Sequence, residues 1–249
     1  MGAVQGACEL LPVSSSGHLA LLPKALGWGY ADLPGDWRKS FEVALHAGSA
    51  PVIAAAALRA GEDPDPAALA FTLLPPAAAG FALEGPIERR LGGLRSVGLA
   101  QIAGGAALFI ADRRPHERNR TDAGDHLAVG LGQAIALVPG VSRLGAALTA
   151  ARLRGLSRPA SLRLALTAAA PVTVGAVALK GLRAARGRAD SELLSPSLAG
   201  AGAAFVSAAM AYPLLDRLKQ TGSYAPFAAY RIGLGSIALV VAGRRARSG

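Results

Sequence analysis

Long apolar runs alternate with short charged segments along the whole of this 249-residue chain. A helix needs about 20 mostly apolar residues to cross a bilayer, and six runs come close to that length. They cover residues 41–59, 66–84, 95–112, 160–180, 194–214 and 226–243. Ala and Gly are frequent in most of them, which permits close helix packing in lipid. The pattern predicts six transmembrane helices, with kinks at Pro75-Pro76, Pro171 and Pro213.

Two further apolar stretches, residues 1–27 and 126–155, do not have the pattern of simple spans. The first contains the segment Pro12–His18 in its middle, and the second contains Pro139–Gly145. Proline together with glycine and hydroxyl residues breaks a helix. Irregular backbone persists at membrane depth only when it is buried in protein or lines a watery cavity. We therefore predict two re-entrant helix–loop–helix hairpins, with an ordinary kinked span as the alternative.

The two interrupted stretches resemble each other in sequence. A shift of 128 positions places Gln5 on Gln133, Val13 on Val141, Ser14 on Ser142 and Gly17 on Gly145. Three spans separate the hairpins and three follow the second, so an odd number of crossings inverts one hairpin relative to the other. This is the organisation of an inverted-topology repeat. The prediction is one membrane domain, residues 1–249, built from a first half, 1–112, and a second half, 126–249.

Composition supports a membrane protein and excludes several other classes. Hydrophobic residues make up 52% of the chain and charged residues only 17%, whereas about 25% charged residues is usual in a soluble domain. So much apolar surface excludes a disordered chain, and Cys8 as the single cysteine excludes a disulfide scaffold. The predicted fold class is an all-α integral membrane protein that crosses the cell membrane several times.

The charge distribution favours contact with lipid head groups over binding of nucleic acid. The net charge is +10, and the basic residues lie mainly between apolar segments, where they would face anionic head groups. The aromatic content of 5% is too low for a base-stacking surface, so no nucleic-acid partner is expected. Lys and Arg divide almost evenly between the two sides, which leaves the membrane orientation undetermined. The N-terminal run lacks a basic region and contains Glu9, so we do not interpret it as a signal peptide.

Polar side chains at membrane depth are costly, so each is a candidate for function. The first hairpin holds Gln5, Glu9, Ser14, Ser15, Ser16 and His18, and the second holds Ser142 and Arg143. The planar fork of arginine suits a phosphate group, and the amides of loops that contain Gly17 and Gly140 add anion-binding donors. Serine near histidine is a nucleophile–base arrangement, and the carboxylate could act as a base or hold a divalent cation. If the hairpins meet, these groups predict phosphoryl chemistry at the membrane.

Each of these residues also has a purely structural interpretation. Glu9 and Arg143 could form only a buried ion pair that fixes the hairpins together. Ser14, Ser15 and Ser16 could cap the following helix, and His18 could do no more than hydrogen-bond a carbonyl.

Four residues elsewhere in the chain have structural interpretations that we favour. Glu42, which shares a helix face with His46, lies at the end of a span and suits the interface. His116 and His126 lie in or beside the charged loop and are expected to be solvated. For Arg231 we favour an interfacial anchor over a second phosphate contact.

Several segments resemble one known family. The segment Glu9–His18, with the sequence ELLPVSSSGH, closely resembles the signature of the bacterial undecaprenyl-pyrophosphate phosphatases, also called bacitracin-resistance proteins. Gln5 and Glu9 match the (Glu/Gln)-x-x-x-Glu element of that family, and Pro139–Arg143 matches the start of its second motif. Weaker matches occur at Phe41–Val43 with Gly48, at Gly155–Arg158, and at Pro226-Phe227 with Tyr230–Ile232.

The resemblance implies a fold with two inverted re-entrant hairpins and an activity. That activity is hydrolysis of undecaprenyl pyrophosphate to the monophosphate lipid carrier, which sustains peptidoglycan synthesis and confers bacitracin resistance. On this basis the expected catalytic residues are Glu9, Ser15, His18 and Arg143. Arg143 would hold the pyrophosphate, Ser15 would attack phosphorus or position the attacking group, and His18 would move the proton. The expected substrate-binding residues are Gln5, Ser14, Ser16, Gly17, Gly140 and Ser142.

The partners expected from the resemblance are a polyprenyl pyrophosphate lipid and the bilayer. A divalent cation, Mg²⁺ or Ca²⁺, is implied as well, with Glu9 as its ligand. Whether the chain forms a homodimer is left open.

The chain departs from the second family motif, which normally continues Ser-Arg-Ser-Gly-Ala-Thr. Leu144 and Ala147 replace its second serine and its threonine, so we expect weaker activity than in a relative with the complete motif. Restoring both hydroxyls should raise kcat/KM at least about tenfold. Lipid phosphatases of the phosphatidic-acid type are excluded, because Thr149 stands where their nucleophilic histidine would fall. Two alternatives remain: a polyprenyl-phosphate flippase without hydrolysis, and a catalytically inactive relative.

Overall fold

The computed structural model describes residues 1–61, 65–113, 115, 118–186, 191–220 and 222–248. Within these ranges a short 3-10 helix covers Gly29–Asp32, and eleven α-helices account for most of the other described residues. They are α1 Gly2–Glu9, α2 Ser15–Leu26, α3 Gly35–Ala60, α4 Pro66–Leu91, α5 Leu94–Arg113, α6 Ala123–Ile135, α7 Arg143–Leu153, α8 Arg158–Arg186, α9 Ser191–Ala211, α10 Pro213–Gln220 and α11 Ala225–Ser248. Within the described ranges no β-strand forms beyond an isolated bridge between Arg118 and Leu156. The all-α class is confirmed.

In the part of the chain that the structure describes, six helices are long and apolar enough to cross a membrane, as predicted. The candidate spans are Gly35–Ala60, Pro66–Leu91, Leu94–Arg113, Arg158–Leu182, Glu192–Leu215 and Ala225–Arg244. Each predicted run lies within or close to one of them. Pro75, Pro76 and Pro171 lie inside helices. Pro213 instead begins the short helix α10, because proline lacks the N–H that a continuing helix would need but is well accommodated in a first turn.

The two interrupted stretches fold as the pairs α1–α2 and α6–α7. Their helices have 8, 12, 13 and 11 residues, which is too short for a membrane span. The helix–loop–helix form therefore agrees with the sequence pattern, whereas re-entry into a membrane stays a prediction. The second helix of each pair starts with the same cap. The Ser14 hydroxyl accepts from the Gly17 N–H, and the Ser142 hydroxyl accepts from the Gly145 N–H.

Helices of one predicted half pack on helices of the other. Helix α1 packs on α9 and α6 packs on α4, while α3 packs on α8 and α5 on α11. Glycines allow both of the first two contacts. Gly2 lies against the carbonyl of Gly200, and a Cβ on Gly130 would come 2.5 Å from the carbonyl oxygen of Phe71. Gly2 and Gly130 are separated by the same 128 positions as the hairpin motifs. The division into inverted halves stays a prediction that this pairing favours.

Helices α5 and α11 also come into close contact at a pair of glycines. A Cβ on Gly235 would lie 2.5 Å from the carbonyl oxygen of Gly98, and a Cβ on Gly98 would lie 2.9 Å from that of Gly235. Small residues let helix backbones approach closely and gain van der Waals contact in a membrane. This close crossing determines how far Gln101 of α5 lies from Arg231 of α11.

The charged segment between the halves is held by a buried carboxylate. Arg118 donates to both oxygens of Asp125 at 2.7 Å, and Arg154 Nε donates to one of them at 3.0 Å. Burial raises the pKa of Asp125, but hydrogen bonds from Arg118, from the Asp122 N–H and from Arg154 outweigh that effect and lower the pKa below its usual value of 3.8. The carboxylate therefore stabilises the fold in its charged form.

His126 differs from the sequence-based expectation, and His116 lies outside the described residues. His126 is buried, with its Nδ1 atom 3.0 Å from the Thr72 hydroxyl. The expectation of a solvated side chain is wrong because α6 begins at Ala123 and packs on α4 from its first turns.

We expect Gly235→Ala to destabilise the protein and Gly233→Ala not to. The added Cβ at Gly235 meets backbone, which cannot move aside, and overpacking of this kind costs about 1–3 kcal/mol. A Cβ at Gly233, on the same helix, meets nothing within 4 Å, and alanine gains about 0.5–1 kcal/mol in helix propensity. Thermal unfolding in detergent measures both. Equal midpoints for the two variants would contradict the close α5–α11 contact.

Asp125→Asn should lower stability by about 1–3 kcal/mol at pH 7. Because the folded pKa is depressed, the stabilisation is present in full above the unfolded pKa and is lost as pH falls through the folded value. The difference in unfolding midpoint between wild type and variant should therefore be constant near neutrality and shrink below about pH 4. A difference that does not change with pH would mean that the Asp125 charge is not what stabilises this segment.

Candidate functional site

The loops of the two helix pairs meet. The Gly140 N–H of the second loop donates to the Ser16 hydroxyl at 3.1 Å, and Arg143 Nη1 lies 3.4 Å from Glu9 Oε1. Helices α2 and α7, which start at Ser15 and Arg143, thus begin beside each other. The first N–H groups of a helix have no intrahelical acceptor and carry the positive end of its dipole. Two such helix starts with an arginine form an anion-binding region.

Glu9 is the centre of the polar contacts, and its side chain is only 7% exposed. Its Oε2 atom accepts from the Ser15 hydroxyl at 2.5 Å and from the Gln5 amide at 3.3 Å. Its Oε1 atom faces Arg143, and His46 Nδ1 lies 3.6 Å away. A carboxylate with this set of donors stays charged and holds Ser15 in one orientation.

The remaining serines have structural contacts. Ser14 and Ser142 cap α2 and α7 as described above, so the capping interpretation holds for Ser14, and Ser142 has the same role in the second pair. The Ser16 hydroxyl lies 3.2 Å from that of Ser14 and accepts from Gly140. Ser14 also has a φ of 71°, a left-handed conformation that few residues other than glycine adopt. Only Ser15 directs its hydroxyl to Glu9.

His18 lies apart from the contacts of Glu9. Its Nδ1 is 2.7 Å from the Ser14 carbonyl oxygen and its Nε2 is 2.7 Å from the Tyr230 hydroxyl. The carbonyl can only accept, so Nδ1 carries the hydrogen and Tyr230 donates to Nε2. Among the described residues no hydrogen bond joins His18 to Ser15 or Glu9. The interpretation of His18 as a partner of a carbonyl describes this geometry, and its role in moving a proton stays a prediction.

Sequence reasoning missed His46, Thr173 and Tyr230. His46 reaches Gln5 and Glu9 because α3 contacts α1, and Arg143 Nη1 donates to the Thr173 hydroxyl of α8. Thr173 is buried in a predicted span. Because polar groups are costly in a membrane, a threonine in a span is a signal in the sequence for a functional residue. Glu42, the helical neighbour of His46, accepts instead from Tyr30 at 2.7 Å.

Arg231 is completely buried, so its interpretation as an interfacial anchor is wrong. An anchor keeps its guanidinium in water, whereas Arg231 Nε donates to Gln101 Oε1 at 3.1 Å and its Nη2 donates to the Gly140 carbonyl at 3.4 Å. The Gln101 amide in turn donates to the Val13 carbonyl at 3.0 Å. Gln101 thus contacts the first hairpin loop, Arg231 contacts the second, and the hydrogen bond between them connects the two loops.

A small cavity adjoins Glu9 and Arg143. The polar residues of its lining are Glu9, Arg143 and Thr173, and the apolar ones are Leu10, Ile53, Leu144, Leu166 and Ala169. The cavity therefore combines charged groups with hydrocarbon, as the site of a lipid with a charged head group requires.

Residues 1–237 match the family model described as bacitracin resistance protein BacA. The chain belongs to the BacA family. The undecaprenyl-diphosphatase of Geobacter sulfurreducens is 36% identical over 96% of this BacA chain and 95% of the relative. That of Dinoroseobacter shibae is 34% identical over 97% and 96%. Undecaprenyl-diphosphatase 1 of Rhodospirillum rubrum is 35% identical over 97% and 93%. The resemblance inferred from the motifs is confirmed.

The two departures of this BacA chain from the family motif differ in their access to the cavity. Both side chains are buried in the largest apolar cluster, but Leu144 also lines the cavity beside Glu9 and Arg143, whereas Ala147 does not. A hydroxyl at position 144 can therefore face the site, but a larger side chain at position 147 must displace packed neighbours.

We expect Leu144→Ser alone to raise kcat/KM about tenfold, because a hydrogen bond to a charged group contributes roughly 1.5–3 kcal/mol. Ala147→Thr should lower the unfolding midpoint without such a gain, because the added atoms overpack the cluster. Leu144→Ser should lower the midpoint too, because it truncates a buried side chain, and the double variant should show the gain in kcat/KM together with both losses. Phosphate release and thermal unfolding in detergent separate the two. If Leu144→Ser leaves kcat/KM unchanged, position 144 does not face the substrate.

Proposed function

We propose that this protein hydrolyses undecaprenyl pyrophosphate to undecaprenyl phosphate and inorganic phosphate, and so recycles the lipid carrier of cell-wall synthesis. The observation that carries the proposal is the contact of Ser15 and Arg143 with opposite oxygens of the Glu9 carboxylate. Family membership, the names of the relatives and the six candidate spans support a membrane phosphatase acting on this lipid. Bacitracin resistance follows if recycling reduces the pyrophosphate lipid available to the drug.

The pyrophosphate binds where the two helices begin. Arg143 is 29% exposed at its side chain, so its guanidinium can leave part of its contact with Glu9 and hold phosphate oxygens. The N–H groups at the starts of α2 and α7 add donors for the same charge. Phosphoryl transfer depends mainly on positioning and charge stabilisation, which these groups supply. The polyprenyl chain extends past the apolar residues that line the cavity and towards lipid.

Ser15 is the nucleophile. Its oxygen forms a bond to the terminal phosphorus, the bond from that phosphorus to the bridging oxygen breaks, and undecaprenyl phosphate leaves. Glu9 takes the Ser15 proton along the existing 2.5 Å hydrogen bond. The proton passes from Glu9 to the leaving undecaprenyl phosphate, which restores the carboxylate. Water then attacks the phosphoserine phosphorus as Glu9 takes a proton from it, the bond from that phosphorus to the Ser15 oxygen breaks, and Glu9 returns the proton to Ser15 as inorganic phosphate leaves. His18 holds the Ser14 carbonyl and positions the loop before Ser15.

The residues around Glu9 fit the Mg²⁺ or Ca²⁺ that the family implies. Gln5 Oε1 is buried and has no hydrogen-bond partner among the described residues, and it lies one helical turn from Glu9. No cluster of three or more His, Cys, Asp and Glu side chains occurs in the described part of the chain. We propose Glu9 and Gln5 as ligands, with substrate phosphates and water completing the shell. A bound cation would neutralise phosphate charge.

The flippase alternative is not favoured, because the relatives named above are all described as diphosphatases. Formation of a homodimer stays a prediction.

Three variants test the proposed roles through phosphate release from undecaprenyl pyrophosphate by purified protein in detergent. Arg143→Ala should lower kcat/KM about 10²–10³-fold, as expected for loss of one donor to the transition state. Glu9→Gln and Ser15→Ala should lower kcat at least as much, with smaller changes in KM. Arg90→Ala, an exposed residue of α4, is the matched control and should retain wild-type turnover.

Full turnover in both Arg143→Ala and Glu9→Gln would refute the site. Lipid crossing liposome membranes without phosphate release would refute hydrolysis itself.

A further inference from the structure

The residue before the proposed nucleophile has an unfavourable backbone conformation. Ser14, with φ 71° and ψ 98°, is the one non-glycine residue with positive φ in the described parts of the chain. An L side chain rarely adopts this conformation, and it persists only where neighbouring groups hold it. Any relaxation of Ser14 turns the peptide that follows it and moves Ser15 away from Glu9.

The peptide that precedes Ser14 is held by Gln101. This residue belongs to α5, is 1% exposed, and donates from Nε2 to the Val13 carbonyl oxygen at 3.0 Å. A trans peptide is planar, with its C=O and the next N–H on opposite sides. Capture of the Val13 oxygen therefore also sets the direction of the Ser14 N–H and limits rotation about the bonds on either side.

The other end of the Gln101 amide is fixed by Arg231. Oε1 accepts from Arg231 Nε at 3.1 Å, and because arginine only donates, the amide NH₂ must face Val13. Arg231 also donates to the Gly140 carbonyl, so one buried chain of contacts runs from the first hairpin loop to the second. The close approach of α5 and α11 at Gly98 and Gly235 keeps the two side chains in reach.

We propose that Gln101 is a positioning residue for the reaction: its amide holds the Val13–Ser14 peptide so that Ser14 keeps its left-handed conformation and Ser15 stays directed at Glu9. The inference rests on the proposed role of Ser15. Gln101 does not touch the substrate, and it acts through the loop backbone.

Two substitutions of Gln101 separate its contacts, and a substitution elsewhere is the control. Gln101→Glu keeps an acceptor for Arg231 but cannot donate to Val13 while it is ionised, and Gln101→Leu removes both contacts at similar volume. Both should lower kcat about tenfold or more and change KM little, since a misdirected nucleophile affects turnover rather than binding. Gln133→Leu is the matched control. Gln133 is a buried glutamine of α6 whose amide atoms have no hydrogen-bond partner among the described residues, so this variant should keep wild-type kcat.

A double-mutant cycle with Ser14→Gly tests the mechanism, because glycine adopts positive φ without penalty. The loss of kcat caused by Gln101→Leu should shrink from about tenfold in the wild-type background to about threefold or less in the Ser14→Gly background. A residue that only packed the core would show the same loss in both backgrounds, and that result would overturn the proposal. Wild-type kcat in Gln101→Glu would also overturn it, and this variant serves if Gln101→Leu does not fold.

The two proposals fail separately. Full activity of Ser15→Ala removes the nucleophile assignment whatever the cycle shows, whereas inactivity of Ser15→Ala together with an additive cycle removes only the role of Gln101.

Discussion

A carboxylate that is nearly buried needs a cation and several donors, and the arrangement of the loops follows from how Glu9 obtains them. Its own hairpin supplies Gln5 and Ser15, but the cation comes from Arg143 of the other hairpin. Neither hairpin can bury its polar groups alone. The contact that satisfies Glu9 therefore also brings the starts of α2 and α7 together and creates the region that can bind a phosphate.

Small residues make this arrangement sterically possible. The short helices α1 and α6 lie directly on the backbones of α9 and α4, and α5 lies directly on α11. In a membrane, association of helices depends on close packing rather than on exclusion of water, so glycine at a crossing contributes more than a larger apolar side chain. The Gln101–Arg231 contact depends on the α5–α11 crossing, and it connects packing to the geometry of both loops.

The polar contacts of Gln101 and Arg231 differ in kind from those of Glu9, Ser15 and Arg143. Glu9 and Arg143 line a cavity, Ser15 donates to Glu9, and these three residues have partners that a substrate can replace. Gln101 and Arg231 are buried and satisfy backbone carbonyls, which cannot exchange with substrate. A site of this type combines reactive groups that can change partners with a supporting layer that cannot.

The sequence alone was enough to predict the six spans, the two broken helices and the residues of the two motifs, because apolar run length and helix-breaking residues act locally. It also indicated the family, which the match over residues 1–237 confirms. Only the tertiary structure decided that His46 and Thr173 contact the site residues, that His18 pairs with Tyr230, and that Arg231 is buried rather than interfacial. These contacts join residues that lie far apart in the chain, and they depend on which face of each helix turns towards its neighbour. That choice is made by packing between helices, and a hydrophobic pattern that is apolar on nearly every face does not specify it.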